Sequence, residues 1–303
     1  MLSKQQKNEY KDIFLKKLKI FSSELSARIS HDDEWDIRGF IDIFKNIYTI
    51  SNDTKIVSKV LELHLFPYFL AFAKENNYRL ELTKEQNYYP DMSFVHKEYS
   101  EIKFAIDLKS TYILEKDSTK CNGFTLGSHG KYFKDRTSTK NIMYPYGSYL
   151  SHIILGIIYT KASLPDDIEI KKYTVNEIRK IPAVVKNFIF FAEEKWKIAS
   201  DKSGSGNTAN IGSIKCIKDI LTGNGVFAKG GESLFDEYWT AFGEISIPWK
   251  DNKKLSCLED YLAFRNLPMS LYNETENKKI QSSSQKLINE YLKKEENIEQ
   301  VSI

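Results

Sequence analysis

Residues 89–112 decide the fold: Tyr89-Pro90-Asp91, then a turn-rich insert, then Phe104-Ala105-Ile106-Asp107-Leu108-Lys109-Ser110-Thr111-Tyr112. The second half is an apolar strand that carries an Asp and a Lys two residues apart. Alternate residues of a strand share a face, so Asp107 and Lys109 point the same way. Asp91 follows a proline and can fold back beside them in a hairpin. Two carboxylates and one ammonium converging at a strand end suit a hard divalent cation and an attacking water. The expected chemistry is Mg²⁺-dependent phosphodiester hydrolysis. Asp91, Asp107 and the Leu108 main-chain carbonyl would hold the ion. Lys109 would orient the water and phosphate and neutralise charge in the transition state. An ordinary surface Asp–Lys pair on a strand would leave Asp91 without a role.

The surrounding 303 residues can bury a sizeable core, in one large domain or two smaller units. A net charge of +3 is too small to imply a nucleic-acid partner by itself. Local clustering is more informative: Lys131, Lys134, Arg136 and Lys140 stand against Asp135 alone. That stretch is either a solvated loop or a phosphate-facing surface. Cys121, Cys216 and Cys257 are far apart and in no metal-ligand spacing, so they read as reduced thiols of a cytosolic protein. The Lys-rich N-terminus has no continuous apolar run, and no signal peptide is expected. The longest apolar stretch, Ile153 to Tyr159, is too short to span a bilayer and reads as a buried helix.

Residues 8–28 place Tyr10, Phe14, Leu18, Phe21 and Leu25 at helical spacing, one apolar face that either packs on the core or meets a partner. Residues 39–50 are rich in β-branched and aromatic residues around a short polar break and predict a β-hairpin. Ser51-Asn52-Asp53 is an N-cap cluster, so a helix should run from about Thr54 to Glu75, with Ile56, Val57, Val60, Leu61 and Phe69 inward and a kink or split at Pro67. Glu62 on this helix is either solvent-facing or an outer carboxylate for a second metal. A strand is expected at 78–83 and irregular chain from Lys116 to Arg136. A strand is expected at 142–146 and a helix from Ser148 to Lys161. Asn187 to Ala192 and Trp196 to Ala199 read as paired strands with Glu193-Glu194-Lys195 as their turn. Next comes Gly204-Ser205-Gly206-Asn207-Thr208-Ala209-Asn210. Two glycines there let backbone approach a partner closely, and Asn and Thr offer both donors and acceptors. Ser233 to Phe242 predicts a helix, and the chain beyond about Asn273 a polar, frayed tail.

Several blocks together resemble the EcoRV family of type II restriction endonucleases, within the wider PD-(D/E)xK nuclease superfamily. They are Asn52 to Lys55, Val60 to Leu63, Asn87 to Asp91, Ala105 to Tyr112, Phe124 to Gly127, Thr139 to Pro145, Lys195 to Asp201 and Gly204 to Gly212. The resemblance runs from about residue 20 to about residue 245. It implies an α/β (α+β) fold, a restriction-endonuclease-like core whose mixed central β-sheet is flanked by helices. It further implies one endonuclease domain over 1–272, with a small dimerisation subdomain at about 8–60 and a catalytic, DNA-binding part at about 61–272, ahead of a tail at 273–303. A homodimer would clasp double-stranded DNA.

In such enzymes a glycine-rich loop reads the outer bases of GATATC in the major groove, where base edges carry a unique donor and acceptor code. The matching positions are Gly204, Ser205, Gly206, Asn207, Thr208 and Asn210. A second loop nears the minor groove, matching Glu85, Gln86 and Asn87. Thr54, Lys55, Gln86, Thr111, Lys131 and Lys140 match DNA-backbone positions, which orient the protein without reading sequence. The family bends its site at the central TA step, a flexible step, and cuts there to leave blunt ends. The implied cofactor is Mg²⁺, with Mn²⁺ substituting and Ca²⁺ supporting binding without cleavage. A cognate DNA methyltransferase would be a functional partner and the prokaryotic cytoplasm the location. Glu85, Tyr88, Gly130, Lys131 and Ala209 depart from the family pattern, which bears on fine specificity and phosphate contacts rather than on catalysis. The alternatives are an inactive DNA-binding relative and a structure-specific repair nuclease of the same superfamily.

Overall fold

A capping box opens the first helix, α1 (Lys4–Ile29): the Ser3 hydroxyl accepts from the Gln6 N–H, and the Gln6 side chain accepts from the Ser3 N–H. The structure, a computed structural model, describes residues 2–83, 85, 88–163, 172–204, 209–275 and 286–290. After α1 come β1 (Ser30–His31), β2 (Glu34–Trp35), β3 (Gly39–Ile41), β4 (Asn46–Thr49) and α2 (Thr54–Glu75). Then follow β5 (Tyr78–Leu82), β6 (Met92–His96), β7 (Lys103–Leu114), β8 (Asp117–Cys121), β9 (Thr125–Ser128), β10 (Ser151–Lys161), β11 (Lys172–Thr174) and β12 (Val185–Glu194). The last elements are α3 (Lys195–Ile198), β13 (Ala199–Ser203), β14 (Asn210–Ser213), α4 (Ile217–Thr222), α5 (Gly231–Ala241), β15 (Ser246–Ile247), β16 (Lys253–Lys254) and α6 (Leu258–Phe264). They form two compact units, one of residues 1–122 and 141–193, the other of residues 123–140 and 194–303.

The first unit is built on a mixed sheet of order β1-β2-β12-β10-β7-β6-β5, with β8 paired to β7. β6 and β7 form an antiparallel hairpin, and β7 runs parallel to β10. Parallel neighbours are normally covered on both faces, and nine successive residues of β10, Ser151 to Tyr159, are buried. Helices α1 and α2 cover one face. Phe14 stacks on Phe104 at 3.9 Å and meets Phe72 and Tyr78 edge-on. Fully burying such a ring contributes about 1.5–3 kcal/mol. Ile106, Ile153, Leu155, Ile157 and Tyr159 belong to the same core. Along β7 and β10 these alternate with Ala105, Asp107, Lys109 and Thr111, and with His152, Ile154, Gly156 and Ile158. That second set therefore lies on the opposite face.

Helix α2 starts where its cap predicts: Asp53 accepts from the Lys55 and Ile56 N–H groups. It runs through Pro67 without being split. Pro67 and Leu63 both lie on the exposed side, where the carbonyl that the missing proline N–H leaves is open to solvent rather than buried in the core. The helix is long and apolar enough to cross a membrane, yet seven of its residues are buried in the protein core. Ile56, expected inward, is exposed, because it falls just outside the stripe of Val57, Val60, Leu61 and Leu65.

Several expected elements differ. Ser151–Lys161, within the stretch expected to be a helix, is a strand; an isoleucine-rich apolar run with no polar face, Ile153 to Tyr159, is the pattern of a fully buried parallel strand. Ile142 makes only an isolated bridge to Tyr89, and Tyr146–Ser148 is a turn of 3₁₀ helix rather than strand. The stretch expected to be irregular contains β8 and β9. Residues 187–199 are not a hairpin: β12 continues to Glu194, Lys195–Ile198 is a single helical turn, and β13 pairs with β14 instead.

The second unit carries the antiparallel sheet β13-β14-β9 and the ribbon β15-β16. Its core holds Leu234, Phe235, Tyr238 and Trp239 of α5. Buried Asp201 is tied in by the Leu258 N–H, which donates to its carboxylate at 3.0 Å, and by the Tyr238 hydroxyl, which donates to its carbonyl at 2.6 Å.

Candidate active site

The register of the β6–β7 hairpin pairs Met92 with Ile106, so Asp91 arrives beside Asp107 at the mouth of the hairpin. The Leu108 N–H donates to Asp91 Oδ2 at 2.8 Å, fixing that carboxylate against β7. Asp107 and Lys109 share a strand face, and Lys109 Nζ lies 2.9 Å from Asp107 Oδ2. The same ammonium is 3.4 Å from Asp91 Oδ2 and 3.4 Å from the Leu108 carbonyl. Three oxygens from 18 residues of chain thus surround one cationic point, as the sequence spacing predicts.

The two carboxylates sit in different surroundings. Asp91 keeps 40% of its side chain exposed and Asp107 only 5%. Burial, together with the like charge of Asp91, pushes the Asp107 carboxyl up to about 6, against the pull of Lys109. Burial works against the Lys109 ammonium as well, but Asp107 and Asp91 outweigh it and hold its pKa above the ordinary lysine value. Two carboxylates and a main-chain carbonyl thus face a single ammonium.

The donor set fits a hard divalent cation that takes one or two carboxylates and keeps several waters. Asp91, Asp107 and the Leu108 carbonyl are the groups that would hold it. Among the described residues no group of three or more His, Cys, Asp or Glu side chains is arranged to hold a metal ion. Glu62 is accordingly not gathered into the site. It pairs with Lys59 one helical turn back, at 2.9 Å on the exposed side of α2.

The remaining candidate residues fall in both units. Thr54 and Lys55 form the first turn of α2, and Thr111 lies on the same face of β7 as Lys109, two residues on. The Asn52 side chain donates to the Ala162 carbonyl, joining the start of α2 to the end of β10. In the second unit Lys134 pairs with Glu244 and Arg136 with Asp236, so two of the four cations clustered in sequence are spent internally. Lys131 and Lys140 are exposed. Gly204 and Asn210 stand at the facing ends of β13 and β14, and the Gly204 N–H donates to the Asn210 carbonyl at 2.8 Å. Ser205, Gly206, Asn207 and Thr208, like Gln86 and Asn87, lie outside the described residues.

Motif reading missed a layer of side chains beside Asp91. Tyr89, Ser93, Tyr146, Tyr149 and His152 are all buried, and they hydrogen-bond and stack with one another. Taking residues 148–161 as a helix hid His152. Read as a strand, the same stretch puts His152 on the Asp107 side of the sheet.

The family described as "Restriction endonuclease EcoRV" matches residues 31–266 of this chain. The type II restriction enzyme EcoRV of Escherichia coli is 36% identical over 226 residues, which cover 74% of this chain and 89% of that enzyme. Among solved structures, the NlaIV restriction endonuclease aligns over 81% of this chain and 76% of its own, with a TM-score of 0.33 and 14% identity.

Proposed function

Because the chain belongs to the EcoRV family of type II restriction endonucleases, we propose that it cuts double-stranded DNA at GATATC with Mg²⁺, leaving blunt ends with 5′-phosphates. The observation that carries this reading is the convergence of Asp91 Oδ2, Asp107 Oδ2 and the Leu108 carbonyl on Lys109 Nζ. Bound among those oxygens, a divalent ion supplies charge stabilisation at the phosphate and a water of lowered pKa. Asp91 and Asp107 hold it, and the Leu108 N–H keeps the Asp91 carboxylate turned toward β7. Lys109, with its proton secured by two carboxylates, donates to the scissile phosphate and the attacking water and offsets the charge that builds there. Mn²⁺ substitutes for Mg²⁺, and Ca²⁺ supports binding without cleavage. Glu62 has a place only in a second, outer metal position.

Base reading belongs to Gly204 through Asn210, with Asn87 at the minor groove. Thr54, Lys55, Gln86, Thr111, Lys131 and Lys140 meet the phosphates. The active form is a homodimer. Its support is the β3–β4 hairpin, whose tip exposes Phe40, Ile41, Ile43 and Phe44, with Ile43 90% and Phe44 78% accessible. The enzyme works in a prokaryotic cytoplasm beside a methyltransferase of the same specificity. A digest of a sequenced plasmid with the ends mapped tests the reading. Blunt, 5′-phosphorylated ends at every GATATC, lost in Asp91→Ala, are expected. An uncut GATATC duplex, or equal cutting away from the site, overturns it.

A further inference from the structure

Asp91 lies between two buried anchors. On one side, Tyr89 is held at every polar group. Its N–H donates to the Asn141 carbonyl at 3.1 Å, and its carbonyl accepts from the Met143 N–H at 2.8 Å. Its hydroxyl lies 2.8 Å from His152 Nδ1. His152 Nε2 lies 3.1 Å from the Tyr146 carbonyl, which can only accept, so Nε2 carries the proton and Nδ1 accepts from the Tyr89 hydroxyl. The His152 ring stacks on Tyr146 at 3.5 Å with the planes 12° apart, which sets its orientation. On the other side, the Ser93 hydroxyl meets the Tyr149 hydroxyl at 2.8 Å.

The geometry points to His152 as a positioning residue for Asp91, acting through the Tyr89 hydroxyl. The link is short. Pro90 alone separates Tyr89 from Asp91, and its ring fixes its own φ, removing one of the backbone torsions along that link. His152 sits on β10 opposite Ala105 of β7, two residues from the pair Ile154–Asp107. The bond from His152 to Tyr89 therefore ties the segment that carries Asp91 to the sheet that carries Asp107. A shift of Tyr89 would move one carboxylate against the other, and a cation site with two carboxylates depends on their separation. Groups that orient metal ligands from behind typically change metal affinity by about 10–100-fold when removed. The Tyr89 bond acts one residue further away, so the lower end, about tenfold, is expected.

This inference rests on the proposed metal site, and the test separates the two. Mn²⁺ affinity is measured by electron paramagnetic resonance on the full chain without DNA, for the native protein, Asp91→Ala, Tyr89→Phe, His152→Leu, His152→Asn and the Tyr89→Phe/His152→Leu pair. Each is confirmed folded by its unfolding transition above the assay temperature. Asp91→Ala should lose the site; if it binds Mn²⁺ like the native protein, the metal site itself is wrong. Tyr89→Phe and His152→Leu should each weaken binding about tenfold, and the pair no further than either alone. His152→Asn keeps an acceptor for the Tyr89 hydroxyl but loses the ring stack, and should recover most of the affinity. Native affinity in Tyr89→Phe and His152→Leu while Asp91→Ala fails overturns the positioning role. Equal losses in His152→Asn and His152→Leu overturn the hydrogen bond as its cause.

Discussion

Replacing Asp107 by Asn should stabilise the metal-free protein while abolishing cleavage. The buried Asp107 carboxyl stands at about 6 against an ordinary 3.8. At about 1.4 kcal/mol for each pH unit, that rise corresponds to about 3 kcal/mol. The folded pKa lies above the unfolded one, so the associated stability is complete below about pH 4 and is lost as the pH rises through 6. Above that range the fold carries an ionised, nearly dry carboxylate whose cost Lys109 only partly offsets. Asn has the same shape, keeps an oxygen for the Lys109 ammonium and never ionises. The variant should match the native protein near pH 4 and exceed it by about 1–3 kcal/mol at pH 8 in EDTA, the upper figure being reduced by water that reaches the site. Urea unfolding at pH 4, 6 and 8 reads the gap directly. Adding Mg²⁺ should close it, since only the native protein gains binding energy in its folded state. A gap that is constant with pH, or a native protein more stable than the variant at pH 8 without metal, would refute the placement of Asp107 as a buried, cation-demanding ligand.

Asn207→Ala should abolish site-specific cutting while leaving the Mn²⁺ affinity of the metal site unchanged. Under a structure-specific reading it would matter little, and comparing digests of matched duplexes with and without GATATC decides between them. Gly156→Ala should destabilise by about 1–3 kcal/mol, because a methyl group there runs into the Phe191 ring; chemical denaturation measures it, and an unchanged midpoint would mean that the ring swings clear. Gly156 is the β10 residue paired with Lys109, so the rate of cleavage should fall with stability. Ile43→Lys with Phe44→Glu should convert a homodimer to monomers in sedimentation velocity while leaving the monomer folded, since both side chains stand almost wholly clear of their own subunit.

How much of this was legible in the sequence depends on the range of the interaction involved. The Asp91, Asp107 and Lys109 constellation was readable because a hairpin and the two-residue period of a strand are local rules, and a short stretch of chain contains the whole device. The start of α2 was readable for the same reason, Asp53 being its own signal. Ile153 to Tyr159 was not. An unbroken apolar run fits a buried helix and a buried strand equally, and only its neighbours β7 and β12 select the strand. That one ambiguity hid His152, because a helical reading places it on no particular face. The partners of the basic stretch from Lys131 to Lys140 were hidden for another reason. Its charge count is correct, but the acids that neutralise Lys134 and Arg136 come from Glu244 and Asp236, about a hundred residues on, where no window of local sequence finds them. Local chemistry thus gathers the atoms proposed to touch the phosphate, while the groups proposed to hold those atoms still are long-range, and the order of strands in the sheet is what brings them there.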